Sequence, residues 1–182
     1  MKNAISIQWQ NLPKYFIGFI GTFIFRLLSP FFGLWNISPL MATGFAGGKA
    51  FGPWAGALYI AISMVLIDLV TGRVGIWTIV TSVTYGLVGF LGGLYLKNKK
   101  ASAKNFVIIS IIGTLIFDII TGVLMGPLMF GGSFLAFAIG QVPFTLRHLA
   151  GNVFFAIVLA PWFYNKIITN SKLEFNKLFK LA

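Results

Sequence analysis

From near Tyr15 to near Tyr164 the sequence repeats one pattern, an apolar run punctuated by Gly, Pro or charge. Each run approaches the ~20 residues that carry a helix across a hydrocarbon core roughly 30 Å thick. In lipid every backbone N–H and C=O must be satisfied within the chain, so runs of this kind fold as helices. Only 9% of the residues are charged, far below the roughly 25% of an average soluble domain. The runs fall at 15–34, 37–52, 53–72, 76–96, 105–126 and 142–165. They predict an all-α polytopic membrane protein, a single domain over 1–182 with six transmembrane helices and a short basic tail at 166–182. The first run begins after Lys14, contains Arg26 and lacks a small-residue exit, so it reads as a retained helix and not as a cleaved signal.

The net charge of +11 is read as topology, with no nucleic-acid partner. With six spans and the Lys97, Lys99, Lys100, Lys104 loop inside, Lys2, Lys14, Lys49, Lys166, Lys172, Lys177 and Lys180 fall on that same side. Five spans would move Lys2, Lys14 and Lys49 outward, against the positive-inside bias. The expectation is a plasma-membrane protein with both termini cytoplasmic and its basic tail against anionic lipid. The second segment is short, and it carries Ala42, Ala46 and Ala50 at four-residue spacing beside Gly44, Gly48, Gly52 and Gly56. Such rows let helices approach closely, either inside the bundle or on a face that docks a partner.

The charged or titratable groups elsewhere are Arg26, Arg73, Arg147, Asp68, Asp118 and His148. At a rise of ~1.5 Å per residue, Asp68 lies ~22 Å and Asp118 ~20 Å up their helices. That is the outer half, with only Arg26 near mid-depth. Charges in a membrane face the bundle interior and find partners. Two readings stand: structural ion pairs (Asp68 with Arg73, Asp118 with Arg26 or Arg147), or a polar pocket open to the outside. His148 and Asn152 share a helix face after Gln141 and Thr145, with Gly151 leaving room beside them. Thr81, Thr84 and Tyr85 line the outer half of the fourth helix. Trp35, Trp77 and Phe130 lie in or beside outer loops. Together these suit a small organic molecule with polar ends and a flat apolar body. Asp68-Leu-Val-Thr-Gly72 and Asp118-Ile-Ile-Thr-Gly122 repeat one pattern fifty residues apart and suggest two related hairpins, 53–96 and 105–165.

Catalytic motifs are missing. Gly44-Phe-Ala-Gly-Gly-Lys49-Ala50 has the wrong spacing for a phosphate loop and lacks its Ser or Thr. One histidine and no cysteine leave no zinc pattern, and no G-x-S-x-G elbow serves His148. The chain is read as a non-enzyme without cofactor or metal.

The residues resemble the substrate-binding S components of energy-coupling factor (ECF) vitamin transporters. The resemblance covers most of the chain. It rests on the six-helix plan, the Trp35-Asn36-Ile-Ser-Pro39 loop before a short second helix, the Phe51-Gly-Pro-Trp-Ala-Gly-Ala57 junction leading to Asp68, and Pro143-Phe-Thr-Leu-Arg-His-Leu-Ala-Gly-Asn152 opening the last helix. It implies a high-affinity binding subunit for a vitamin-like micronutrient, with its pocket between the last three helices and the outer loops. It also implies a transmembrane coupling subunit and two cytoplasmic ATPases as partners. The family often docks through A-x-x-x-A in its first helix, a position filled here by Gly18-x-x-x-Thr22.

The substrate-binding set is thus Asp68, Arg73, Thr84, Tyr85, Asp118, Arg147, His148, Asn152 and Trp35, and the docking set Gly18, Thr22, Ala42, Ala46 and Ala50. Arg26, Arg73 and Arg147 against Asp68 and Asp118 leave one net positive charge, which favours a carboxylate-bearing substrate. Two other classes fit the same residues: a membrane scaffold of the cell envelope, and a proton- or cation-coupled carrier.

Overall fold

A computed structural model describes residues 9–34 and 36–179, and the described residues are helical without strands. The helices are α1 (Leu12–Leu28), α2 (Leu40–Phe51), α3 (Pro53–Val70), α4 (Ile76–Leu96), α5 (Ala103–Asp118), α6 (Gly126–Phe130), α7 (Phe134–Phe163) and α8 (Phe175–Leu178). Two π-helical segments, Ile119–Met125 and Tyr164–Ile168, extend α5 and α7.

Five helical stretches are long and apolar enough to cross a membrane: Leu12–Phe32, Pro53–Val70, Ile76–Leu96, Ala103–Phe130 and Phe134–Ile168. The second expected span is different. α2 has 12 residues, which at ~1.5 Å each covers only ~18 Å. Five stretches have full spanning length, and α2 falls short of it. The reason lies at both ends of α2. Ser38 and Pro39 hold the entry outside the helix, with the Leu40 N–H donating to Ser38 Oγ at 3.3 Å. At the exit Gly52 takes φ +100°, a conformation with little steric cost only for glycine. Pro53 then opens α3 at its first position, where its missing N–H costs nothing.

α2 is nevertheless the centre of the molecule. Every residue from Leu40 to Gly48 is buried, with Leu40, Phe45 and Ala46 at 0% exposure. α1, α3, α4, α5 and α7 pack around it. Glycine sets the closest approaches: a Cβ on Gly56 would meet Gly48 Cα at 2.9 Å, and one on Gly93 would meet Pro53 Cα at 2.5 Å. The small-residue rows are thus internal packing, in which backbones meet without intervening side chains. Outward, Ile20, Ile62, Ile79, Val83, Leu115, Phe154 and Val158 are exposed, an apolar surface suited to lipid and not to water.

Contacts between successive helices run in opposite residue order. Thr43 and Gly47 meet Thr22 and Tyr15, Gly44 and Gly48 meet Ile60 and Gly56, Gly86 and Gly89 meet Ala61 and Ala57, Gly113 and Phe117 meet Val88 and Tyr85, and Thr114 and Asp118 meet Asn152 and His148. Successive elements therefore alternate in direction, α2 included. Helix polarity then gathers Lys14, Lys49, Lys97, Lys99, Lys100, Lys104 and Lys166 at one end. There Lys49 Nζ donates to the carbonyls of Leu96 and Lys99. Lys14, 3% exposed, pairs with Glu174 at 3.6 Å and ties the segment after α7 to the start of α1. Lys2 and Lys180 lie outside the described residues.

Candidate functional site

The end opposite the lysines holds the polar side chains. A cavity of about 380 Å³ opens there among the ends of α1 and α3, the start of α4, the π segment after α5, the first half of α7 and the 36–38 link into α2. Its walls carry Arg26, Asp68, Arg73, Trp77, Thr81, Tyr85, Gln141 and His148, with Met64, Phe117 and Phe144 as apolar surface. Ligand pockets generally occupy about 300–1,000 Å³, mostly apolar with a few placed polar groups.

Each polar group has a local reason for its position. The α3–α4 turn folds around Thr78, whose hydroxyl accepts from the Gly75 N–H at 3.2 Å and donates to Asp68 Oδ2 at 2.8 Å. Asp68 is thus a buried carboxylate with Oδ2 engaged. Arg73 follows in the same turn, its backbone N–H bonded to Asp68 O at 2.8 Å. The expected Asp68–Arg73 ion pair does not form. Among the described residues Lys14 pairs with Glu174 and Asp118 meets His148, so neither Arg26 nor Arg73 is matched to a carboxylate.

Asp118 ends α5, is 1% exposed, and accepts from His148 Nδ1 at 2.8 Å. Its other oxygen, Oδ2, is buried without a partner. This His148 contact replaces the expected ion pair of Asp118 with Arg26 or Arg147. The imidazole is further fixed edge-on by Phe117 and Phe144, with ring centroids 5.6 and 5.7 Å away. One turn deeper, Asn152 Nδ2 donates to Thr114 Oγ1 at 2.8 Å, and Thr114 donates to Ser110 O at 2.7 Å. Asn152 therefore supports α7 against α5 and does not line the cavity. Tyr85 packs on Phe117 with ring centroids 4.1 Å apart, and its hydroxyl lies within electrostatic reach of Arg26 and of Asp118.

Of the residues proposed from sequence, Asp68, Arg73, Tyr85 and His148 meet at the cavity, with Asp118 directly behind His148. Thr84 is buried, and its hydroxyl is taken by Val80 O at 2.7 Å. Arg147 is exposed on the outer side of α7, because one residue along a helix turns away from the face that carries His148. Trp35 lies outside the described residues. Of the docking set, Gly18 packs against Phe163 and Tyr59, Thr22 Oγ1 meets Thr43 Oγ1 at 3.3 Å, and Ala42 and Ala46 are buried, leaving only Ala50 exposed. Sequence reasoning left Arg26, Asn36, Ser38 and Phe144 out of the site. Arg26 carried a usable signal, being the one cation near mid-depth. Asn36 and Ser38 belong to the link into α2, and Phe144 shares the α7 face that carries His148.

The Asp118-Ile-Ile-Thr-Gly122 motif builds the wall on the α7 side. Directly after Asp118 the helix widens into the π segment, a feature frequent at functional sites. Thr121 Oγ1 donates to Phe117 O at 2.8 Å. Gly122 leaves room for the Gln141 side chain, which a Cβ there would overlap. Among the described residues no three His, Asp or Glu side chains come together as metal ligands.

A family of unknown function, DUF6580, matches residues 9–171 of this sequence. The chain belongs to the DUF6580 family. The match runs from the entry of α1 to just beyond α7 and so includes every DUF6580 residue that lines the cavity. No curated protein and no solved structure matches the chain.

Proposed function

We propose that this DUF6580 protein is a membrane-embedded solute-binding subunit that takes up a small organic, vitamin-like micronutrient. The basic end faces the cytoplasm of the cell whose plasma membrane holds the protein, and the cavity opens outward. One observation carries the reading. A cavity of ligand size, walled by guanidinium, imidazole, carboxylate, hydroxyl and amide groups, lies at the end opposite the lysines. A bundle held together by internal ion pairs would consume these charges among themselves; here Arg26 and Arg73 are unmatched. The resemblance to ECF S components supports the same assignment, with a coupling subunit and cytoplasmic ATPases supplying the energy. The exposed apolar face would meet lipid and the coupling subunit.

A thermal-shift screen of the detergent-purified protein against vitamins and their precursors tests this. A ligand at 100 times its Kd stabilises the folded state by about 2.7 kcal/mol. Arg26→Ala and Arg73→Ala are expected to weaken the shift at least tenfold in ligand concentration. A panel without any hit, against a protein with a cooperative melt, would turn the assignment toward an envelope scaffold.

A further inference from the structure

The charges around the cavity are balanced in a way that constrains its ligand. Arg26 from α1 and Arg73 from the α3–α4 turn face the cavity; Asp68 from α3 lines it, and Asp118 from α5 stands behind His148. Two positive and two negative groups leave a total of zero while His148 of α7 is neutral. Tyr85 from α4 adds a hydroxyl, and the 36–38 link adds Asn36, Ile37 and Ser38, none of them charged.

The two carboxylates are not equivalent. Asp68 is engaged by Thr78, and Asp118 by His148 on one oxygen only, with Oδ2 unpartnered and buried. Neither arginine has a carboxylate partner. Arg73 is exposed in the α3–α4 turn, whereas Arg26 is half-buried within the bundle; a guanidinium at that depth is costly without a counter-ion, and an incoming anion would provide one for Arg26. The anion also brings a surplus negative charge into a site of low polarity, which is costly unless it is compensated. His148 offers the compensation. Its Nδ1 is held by Asp118 at 2.8 Å, while the ring borders the cavity. An imidazolium at this position has its counter-ion already in place.

We infer that the cavity takes a carboxylate ligand together with one proton, the proton coming from bulk water to His148 while the carboxylate pairs with Arg26. The inference rests on the solute-binding reading and names its substrate class. Proton and anion enter as a neutral pair, so the total charge of the site is unchanged by loading. Affinity then falls with rising pH wherever loading takes up a proton, by about tenfold per unit for one proton.

Isothermal titration calorimetry on the full chain in detergent tests it, using acid and amide pairs as probes: nicotinate with nicotinamide, and biotin with biotinamide. Each is run at about pH 7 in buffers of different ionisation enthalpy, so that the slope of the observed heat gives the protons taken up. The expected result is an acid that binds at least tenfold tighter than its amide, with about one proton taken up per ligand. His148→Gln should abolish the uptake, and Asp118→Asn should reduce affinity and flatten its pH dependence. The wild-type buffer series decides the matter even where a variant does not fold. An acid that binds without proton uptake overturns the inference and leaves the solute-binding reading standing, as does an amide that binds equally well. Binding by none of the four probes overturns the carboxylate inference, whereas a hit by some other solute in the thermal-shift screen would keep the broader reading.

Discussion

Ser110 and Asp118 each bury an oxygen that has no hydrogen-bond partner, and their contexts give these two atoms opposite meanings. Ser110 sits at 0% exposure in the middle of α5, remote from the cavity wall, and its hydroxyl only costs desolvation. An unsatisfied buried polar group costs about 1–3 kcal/mol, so Ser110→Ala is expected to raise stability by about 1 kcal/mol. Chemical or thermal unfolding in detergent reads this directly, and a loss of stability would mean that the hydroxyl is engaged. Asp118 borders the cavity through His148, so its free oxygen is tied to the site. The sequence named Asp118, His148, Asp68, Arg73 and Tyr85 because polar groups at membrane depth are rare enough to be informative one by one. It misjudged Arg147, since the 100° between neighbours on a helix separates His148 from the residue before it, and residue type alone does not say which of the two faces inward.

Helix contacts depend on shape more than on charge. The α3–α4 pair is set by Gly56, Gly89 and Gly93, where added methyl groups would press on backbone atoms. Gly93→Ala should therefore cost about 1–3 kcal/mol through overpacking. Gly21→Ala, which meets nothing within 4 Å, should leave the melting temperature unchanged or slightly raised. Equal effects of the two would contradict this account of the interface. The lengths of these elements were only partly legible. Apolar runs located the long helices well, because lipid forces backbone closure over the whole run. The last helix was expected to open at 142, at the entrance to Pro143; it begins instead at Phe134, with Ser133 Oγ accepting from the Ala136 N–H at 3.1 Å. Pro143 and Pro161 both lie inside α7, as membrane helices tolerate when neighbours re-satisfy the freed carbonyls. That early start brings Gln141 into the cavity wall. The shortness of α2 was visible in the length of the 37–52 run, but its central position was not, because hydropathy does not distinguish lipid from protein as surroundings. The π segment after Asp118 has no sequence signature that would have announced it.

For the whole molecule, the arrangement separates two chemistries, lysines at one end and a polar cavity at the other. The absence of cysteine makes the proposed orientation easy to probe. In intact cells a membrane-impermeant maleimide should label Leu34→Cys, beside the cavity mouth. Lys100→Cys, in the α4–α5 turn, should react only after permeabilisation. The reverse pattern would invert the topology and close the cavity to external solute. The alternation of helix directions follows from short connections, which the spacing of the runs made visible. The convergence of α1, α3, α4, α5 and α7 on one cavity follows from packing around α2, which no periodicity specifies.

The central claim is that the cavity at the non-basic end binds a small organic solute. An equilibrium binding isotherm with the best hit of the solute panel, measured on the wild type and on Thr81→Phe, tests it most directly. Thr81 lines the cavity from α4, and a phenyl group there would fill its space. The account predicts one ligand per chain for the wild type and at least tenfold weaker binding for the variant, with the unliganded melting temperature little changed. Equal binding by both proteins would place the ligand elsewhere and contradict the claim.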